Sequence, residues 1–200
     1  RPATVIHPPV QIDAFECRAE KQDYYLLLGQ LTPYKKADLV VDAFLRSGRK
    51  LVVIGEGEQL KELKARETDK VQILGRQPFH VLKEHLANAR ALVFPGVEDF
   101  GIVPLEAMAS GTPVIAFGKG GALETVIESS DPSVATGLFF HEQSVAAIEE
   151  AVARFESLPV AVSAEACRRQ AERFAPARFR EQISSFIDAK LLERRSSAPL

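Results

Sequence analysis

Six short apolar runs, each bounded by glycine or proline and spaced a helix apart, restrict this chain more than any other feature. Runs at 24–28, 51–54, 71–74, 91–94 and 113–117 end at Gly29, Gly55, Gly75, Pro95 and Gly118, and a weaker run, 137–140, follows. They are four or five residues long and begin about 20 to 27 residues apart. Apolar runs without polar alternation suit strands covered on both faces. Helical spacing fills the intervals: Leu39, Val40, Ala43 and Phe44 fall at i, i+1, i+4, i+5, and Phe79, Leu82, Leu86 and Ala89 at i, i+3, i+7, i+10 behind Pro78, a favoured first-turn residue. This alternation predicts an α/β fold, a doubly wound and mostly parallel sheet. Beyond 140 the pattern is helical: 143–157, then 164–174 behind Ser163 as N-cap, then 176 to about 193, with 194–200 a frayed tail. Residues 1–193 therefore read as one domain.

In such a sheet a ligand sits beyond the carboxyl ends of the strands, so the loops opening at Gly29, Gly55, Gly75, Pro95 and Gly118 hold the chemistry. Several chemistries are absent from them. Gly55-Glu56-Gly57 is followed by Leu60 where a dinucleotide fingerprint needs Gly or Ala, and neither a P-loop nor a nucleophile elbow occurs. No Asp-x-Asp is present to bridge a metal and a diphosphate. Cys17 and Cys167 stand alone without a C-x-x-C, and His80 and His85 lie five apart, off a shared helical face, so no metal site is expected. Twenty-five basic and 27 acidic side chains leave −2, no footprint for nucleic acid. The longest uncharged stretch, 107–118, has twelve residues and contains Pro113, too short for the roughly 18 a membrane span needs. The opening Arg1-Pro2-Ala3, with neither Met nor a signal sequence, is expected of a piece of a longer protein.

Any anion bound here must then be held by backbone N–H groups and basic side chains. After Gly29 the chain places Lys35 and Lys36 just before a helix expected from Ala37, the wrong sign for the helix dipole unless an anion lies between them and the helix end; two solvated lysines are the plain alternative. The Gly118-Lys119-Gly120-Gly121 loop offers close backbone approach, or merely a turn. The segment 95–114 says most. Pro104 at the first helical position would set Glu106 in the first turn and present the N–H groups of Gly101, Ile102 and Val103 as an anion cradle. Glu98 lies eight residues earlier in the preceding loop. Two carboxylates flanking one pocket suit a hydroxyl-rich ligand, because each only accepts hydrogen bonds and a sugar diol donates two.

Glu98 and Glu106 with Phe100-Gly101 between them, followed by the stretch 106–116, resemble the donor-binding signature of the retaining GT-B glycosyltransferases of family 4. Other segments agree in order. Residues 5–10 resemble the entry from an interdomain linker, 28–39 the phosphate-binding loop, 53–57 the next strand end, and Gly118, Gly120, Gly121 and 124–126 the loop after the signature. The likeness covers 5 to about 185 and is greatest to mannosyltransferases of bacterial O-antigen and exopolysaccharide assembly.

That resemblance implies the Rossmann-like, donor-binding half of a GT-B fold with C-terminal helices. It implies a hexosyltransferase, specifically a mannosyltransferase, that takes GDP-mannose without a metal or other cofactor and extends a glycan or lipid-linked acceptor. Lys35 would neutralise the departing diphosphate, with Gly29, Gln30 and Lys36 in the same loop. Glu98 would hold hydroxyls of the transferred sugar and Glu106 those of the ribose. Phe100, Gly101, Ile102 and Val103 would supply backbone contacts, and the main chain at Arg76 and Gln77 would meet the base. Transfer would retain configuration by a same-face, oxocarbenium-like displacement, on the cytoplasmic side, with any membrane contact peripheral. The N-terminal acceptor domain is missing from the sequence, so the domain alone is expected to bind donor and catalyse little. Gln30 departs from the family, which carries Arg there; either Lys36 or Arg76 compensates or turnover falls. Two alternatives stay open: the same chemistry on a UDP-sugar, and a non-catalytic nucleotide-binding module.

Overall fold

The computed structural model describes residues 3–196; Arg1, Pro2 and the part of the expected tail at 197–200 lie outside the described residues. Every apolar run is a strand: β1 (Tyr25–Leu28), β2 (Leu51–Ile54), β3 (Val71–Gly75), β4 (Ala91–Phe94), β5 (Val114–Phe117) and β6 (Gly137–Phe140). They form one all-parallel sheet in the order β3-β2-β1-β4-β5-β6. The helices are α1 (Ala37–Ser47), α2 (Leu60–Lys64), α3 (Phe79–Asn88), α4 (Ile102–Ala109), α5 (Ala122–Thr125), α6 (Val145–Glu156), α7 (Ala164–Glu172) and α8 (Pro176–Ser196).

Except in the edge strand β3, whose Gln72 is exposed, the strands lack polar alternation because both faces are covered. Leu26, Leu28, Val52, Ile54, Leu92, Phe94, Val114 and Ala116 pack with Leu86 of α3, Leu105 and Met108 of α4 and Ala171 of α7. The alternate residues Tyr25, Leu27, Leu51, Val53, Ala91, Val93, Ile115 and Leu138 pack with Val40 and Phe44 of α1, Leu63 of α2 and Ile148 of α6. Each fully buried Leu or Ile in these layers contributes roughly 1.5–3 kcal/mol. At the end of the sheet away from the site, the Nζ of Lys21 donates to Ala87 O, Ser110 O and Thr112 Oγ1 at 2.8, 3.1 and 2.8 Å, stapling the carboxyl ends of α3 and α4.

Ser144 and Ser163 cap α6 and α7 through their side chains. Two boundaries differ from the sequence reading. Helix α8 continues to Ser196, so 194–196 are helical instead of frayed. Helix α4 begins at Ile102, which makes Pro104 its third residue and puts Glu106 beyond the first turn. Every N–H of a first turn lacks an intrahelical partner, so proline is tolerated across it and does not mark its first residue. Cys17 and Cys167 are free thiols. Among the described residues no helix is long and apolar enough to cross a membrane, and no group of three or more His, Cys, Asp or Glu side chains is placed to hold a metal ion.

Candidate active site

The strand order reverses between β1 and β4, and the loops leaving their carboxyl ends part there. Between them lies a cavity of about 450 Å³ whose walls include Gly29, Gln30, Lys35 and Ala37 from one side and Gly96, Glu98, Phe100, Gly101, Ile102 and Val103 from the other, with Pro8 at its edge. Two loops 60 residues apart in sequence are thus made one site by topology alone.

The β1 loop is shaped by a turn not foreseen from the sequence. Pro33–Lys35 form a 3₁₀ turn behind Thr32, and Lys36 takes φ +59° before α1 starts at Ala37. The turn brings Lys35 into the cavity wall and leaves Lys36 out of it. Behind the loop stands the Gly55-Glu56-Gly57 segment. Leu31 N–H donates to Glu56 O at 2.8 Å and Gln59 N–H to Leu31 O at 3.0 Å. A Cβ on Gly55 would lie 1.8 Å from Gly29 O, and one on Gly57 2.5 Å from Leu31 O. These glycines permit contact between two stretches of main chain, and hold the β1 loop from outside.

Similar close packing fixes the β4 loop. Gly101 takes φ +87° as the N-cap of α4, with no side-chain cap, so the first-turn N–H groups of Ile102 and Val103, two residues of the cavity wall, have no intrahelical partner. Gly121 N–H donates to Glu98 O at 2.7 Å, and a Cβ on Gly121 would stand 2.4 Å from Phe100 Cα. The close approach offered by Gly120-Gly121 is therefore spent on the 98–100 main chain. Gln143 Nε2 donates to Pro95 O at 2.8 Å from the far side.

Lys35 Nζ and Glu98 Oε1 form an ion pair. Burial holds the Lys35 ammonium below its ordinary pKa. Among the cavity walls Lys35 is the sole cation, faced by the carboxylates of Glu98 and Asp99. The remaining attraction for an anion comes from the N-termini of α1 and α4, which both open on the cavity through Ala37 and through Gly101 to Val103.

Other expected residues sit elsewhere. Arg76 is largely exposed and lies 3.5 Å from Glu56, while Gln77 Nε2 turns back to donate to Leu74 O at 2.8 Å; neither side chain lines the cavity. Gln30 itself is an exposed part of the wall, which neither Lys36 nor Arg76 lines; Arg76 pairs with Glu56, whose main chain accepts from Leu31 N–H next to Gln30. Glu106 is absent from the walls as well. Burial raises its carboxyl to about 7, and no described side chain or backbone group pairs with it.

Sequence reasoning missed two contributors. Gly96 lets Lys35 approach: a Cβ there would meet Lys35 Cδ at 3.3 Å. His7 stacks on Phe100 with centroids 5.2 Å apart and lies edge-on to Phe174 at 5.5 Å, tying the incoming chain to the β4 loop. Ring contacts between residues 93 positions apart leave no periodic trace, though the Phe100-Gly101 pair marks one end.

A single parallel sheet with a charged cavity at its switch point defines a doubly wound α/β class, and the chain belongs to a particular family within it. Residues 11–174 match the Glycosyl transferases group 1 family, and the chain is a member. It is 34% identical over 176 residues to the GDP-mannose-dependent alpha-(1-6)-phosphatidylinositol monomannoside mannosyltransferase of Mycobacterium tuberculosis, covering 73% of this chain and 44% of that protein. It is 32% identical over 125 residues to the O-antigen chain mannosyltransferase RfbU of Salmonella typhimurium, covering 56% of this chain and 34% of that protein. The chain thus spans between about a third and just under half of these relatives. In fold it is similar to Anabaena HepE, solved in complex with UDP and glucose, at a TM-score of 0.77 and 19% identity over 92% of this chain and 56% of that one. Sucrose-phosphate synthase from Thermosynechococcus elongatus superimposes with a TM-score of 0.78 at 23% identity, over 94% and 52%. The doubly wound, Rossmann-like sheet is that of one half of a GT-B glycosyltransferase.

Proposed function

We propose that this chain is the donor half of a retaining glycosyltransferase that moves a mannosyl group from GDP-mannose to a glycan or lipid-linked acceptor. The observation that carries the reading is the convergence of Lys35, Glu98 and the uncapped N-terminus of α4 on one cavity at the β1/β4 switch point. In this reading Lys35 and the Ile102 and Val103 N–H groups take the diphosphate, whose departure is the step that most needs stabilising. Glu98 accepts from hydroxyls of the transferred sugar and Glu106 from those of the ribose, while the main chain around Arg76 and Gln77 meets the base. The chain's own residues supply charge and positioning and no metal is called for. In this reading an acceptor domain on the N-terminal side closes the cleft.

The choice of base rests on relatives. GDP-mannose dependence belongs to the Mycobacterium tuberculosis protein at 34% identity, whereas the UDP complex of HepE shares only 19% with this chain. One observation favours the non-catalytic alternative: among the described residues the wall that Gln30 occupies holds no basic side chain besides Lys35. Calorimetric titration of the chain with GDP, UDP, GDP-mannose and UDP-glucose separates these readings. Saturable binding of the guanine ligands is expected, uracil preference transfers the donor, and silence from all four removes the donor assignment. Gln30→Arg is expected to tighten GDP binding about tenfold, since a guanidinium forks onto a diphosphate as an amide does not. Unchanged affinity in that variant would mean that the α4 N-terminus already satisfies the anion.

The reaction is placed on the cytoplasmic face, with contact to lipid peripheral at most. Residues 165–195 carry eight Lys or Arg and five Asp or Glu, a +3 excess. Co-sedimentation with liposomes is expected to rise with anionic lipid content if that surface meets membrane, and flat binding discards the contact.

A further inference from the structure

In the free chain, the cation suited to a diphosphate and the carboxylate suited to a sugar neutralise one another. The Lys35 and Glu98 side chains are only 18% and 30% exposed. Fixed main chain holds both partners: Gly96 lies against Lys35, and Glu98 O is pinned by the Gly121 N–H. Among the described residues no other cation lines the cavity, so Glu98 has no second partner to turn to there, and Asp99 adds a like charge beside it.

We propose that this pair makes the site discriminate an intact nucleotide sugar from the bare nucleoside diphosphate, with Glu98 as the discriminating residue. The inference rests on the donor-binding reading above and deepens it. A diphosphate arriving alone must draw Lys35 away from Glu98. It then leaves a partly buried carboxylate unpaired and next to new negative charge, an arrangement that opposes binding. A sugar on the same diphosphate brings hydroxyl donors to the carboxylate just as Lys35 leaves it, so both partners exchange one contact for another. Once the sugar has been transferred those donors are gone. Glu98 recaptures Lys35, and the same pair that admitted the donor favours release of the nucleoside diphosphate.

The test is calorimetric titration of the whole 200-residue chain and its Glu98→Gln variant with GDP and GDP-mannose, and with UDP and UDP-glucose, at low salt. Glutamine keeps the shape and one hydroxyl acceptor and removes the charge. The nucleoside diphosphate is expected to bind Glu98→Gln about fivefold more tightly than it binds the unaltered chain, the scale of a partly exposed ion pair. Affinity for the nucleotide sugar is expected to hold or fall, so the ratio of the two affinities shrinks by at least that factor. Glu98→Asp keeps the charge and is expected to retain a larger ratio than Glu98→Gln; melting curves establish that both variants fold. Nucleotide-sugar binding with an unchanged ratio in Glu98→Gln overturns the discrimination and spares the donor reading. Silence of both chains toward all four ligands overturns the two together.

Discussion

Lys35→Met is expected to weaken the chain's affinity for a nucleoside diphosphate on the order of a hundredfold, about 3 kcal/mol. Methionine preserves the aliphatic stem that passes Gly96 and removes the one cation in the cavity walls. Losing a charged donor from a partly enclosed anion site forfeits a strong hydrogen bond and leaves the anion's charge unmatched. The net loss is smaller than the gross interaction, because Lys35 must first part from Glu98. Lys35→Met also strands Glu98 beside the anion, so the double variant Lys35→Met/Glu98→Gln is expected to recover part of the affinity. Calorimetry on the four chains closes the double-mutant cycle. Thermal melts should change little, since a pair of this exposure contributes less than about 1 kcal/mol to folding. If Lys35→Met binds the nucleotide as well as the unaltered chain does, the diphosphate lies elsewhere and the donor site has been misplaced.

The framework of this site could be read from the sequence because each apolar run carried one unambiguous instruction. Residues such as 51–54 are apolar at every position, and only a strand covered on both faces buries all four. Their spacing left room for one crossover each, and six parallel strands followed. The convergence of Lys35 and Glu98 was anticipated by resemblance, and its physical cause, the strand reversal between β1 and β4, became visible only once the order was known. What stayed hidden depends on contacts between distant stretches. Gly55 and Gly57 looked like a failed dinucleotide fingerprint because sequence does not show that the Gly29–Leu31 main chain leans on them. The start of α4 was misplaced for a local reason: a glycine at positive φ caps the helix, and Pro104 fits anywhere in the turn after it. Arg76 and Gln77 were assigned through their main chain, so their side chains were free to turn to Glu56 and Leu74 O.

Glu106→Gln is expected to raise the stability of the chain at pH 8 by up to about 3 kcal/mol and to leave it nearly unchanged at pH 4. Partial burial lifts the Glu106 carboxyl from 4.5 to about 7, and among the described residues no side chain or backbone group pairs with it. The folded state therefore holds this proton more tightly than the unfolded chain does. The stability this lends is fully present below about 4.5 and is lost as pH rises through 7, when the buried group must ionise. A rise of this size corresponds to about 3 kcal/mol at most, at about 1.4 kcal/mol per pH unit. Glutamine never ionises, so its stability is expected to be flat across the same range, as urea midpoints at pH 4, 6 and 8 would reveal. Equal pH dependence in the two chains would mean the carboxylate is solvated or paired. A residue that destabilises its helix near neutral pH needs a reason to be there, and under the proposed function hydroxyl donors of a bound ribose would be its partner. The same substitution is accordingly expected to strengthen the fold and weaken nucleotide binding. A variant that gained stability without losing affinity would separate the buried charge from the ligand and remove Glu106 from the site.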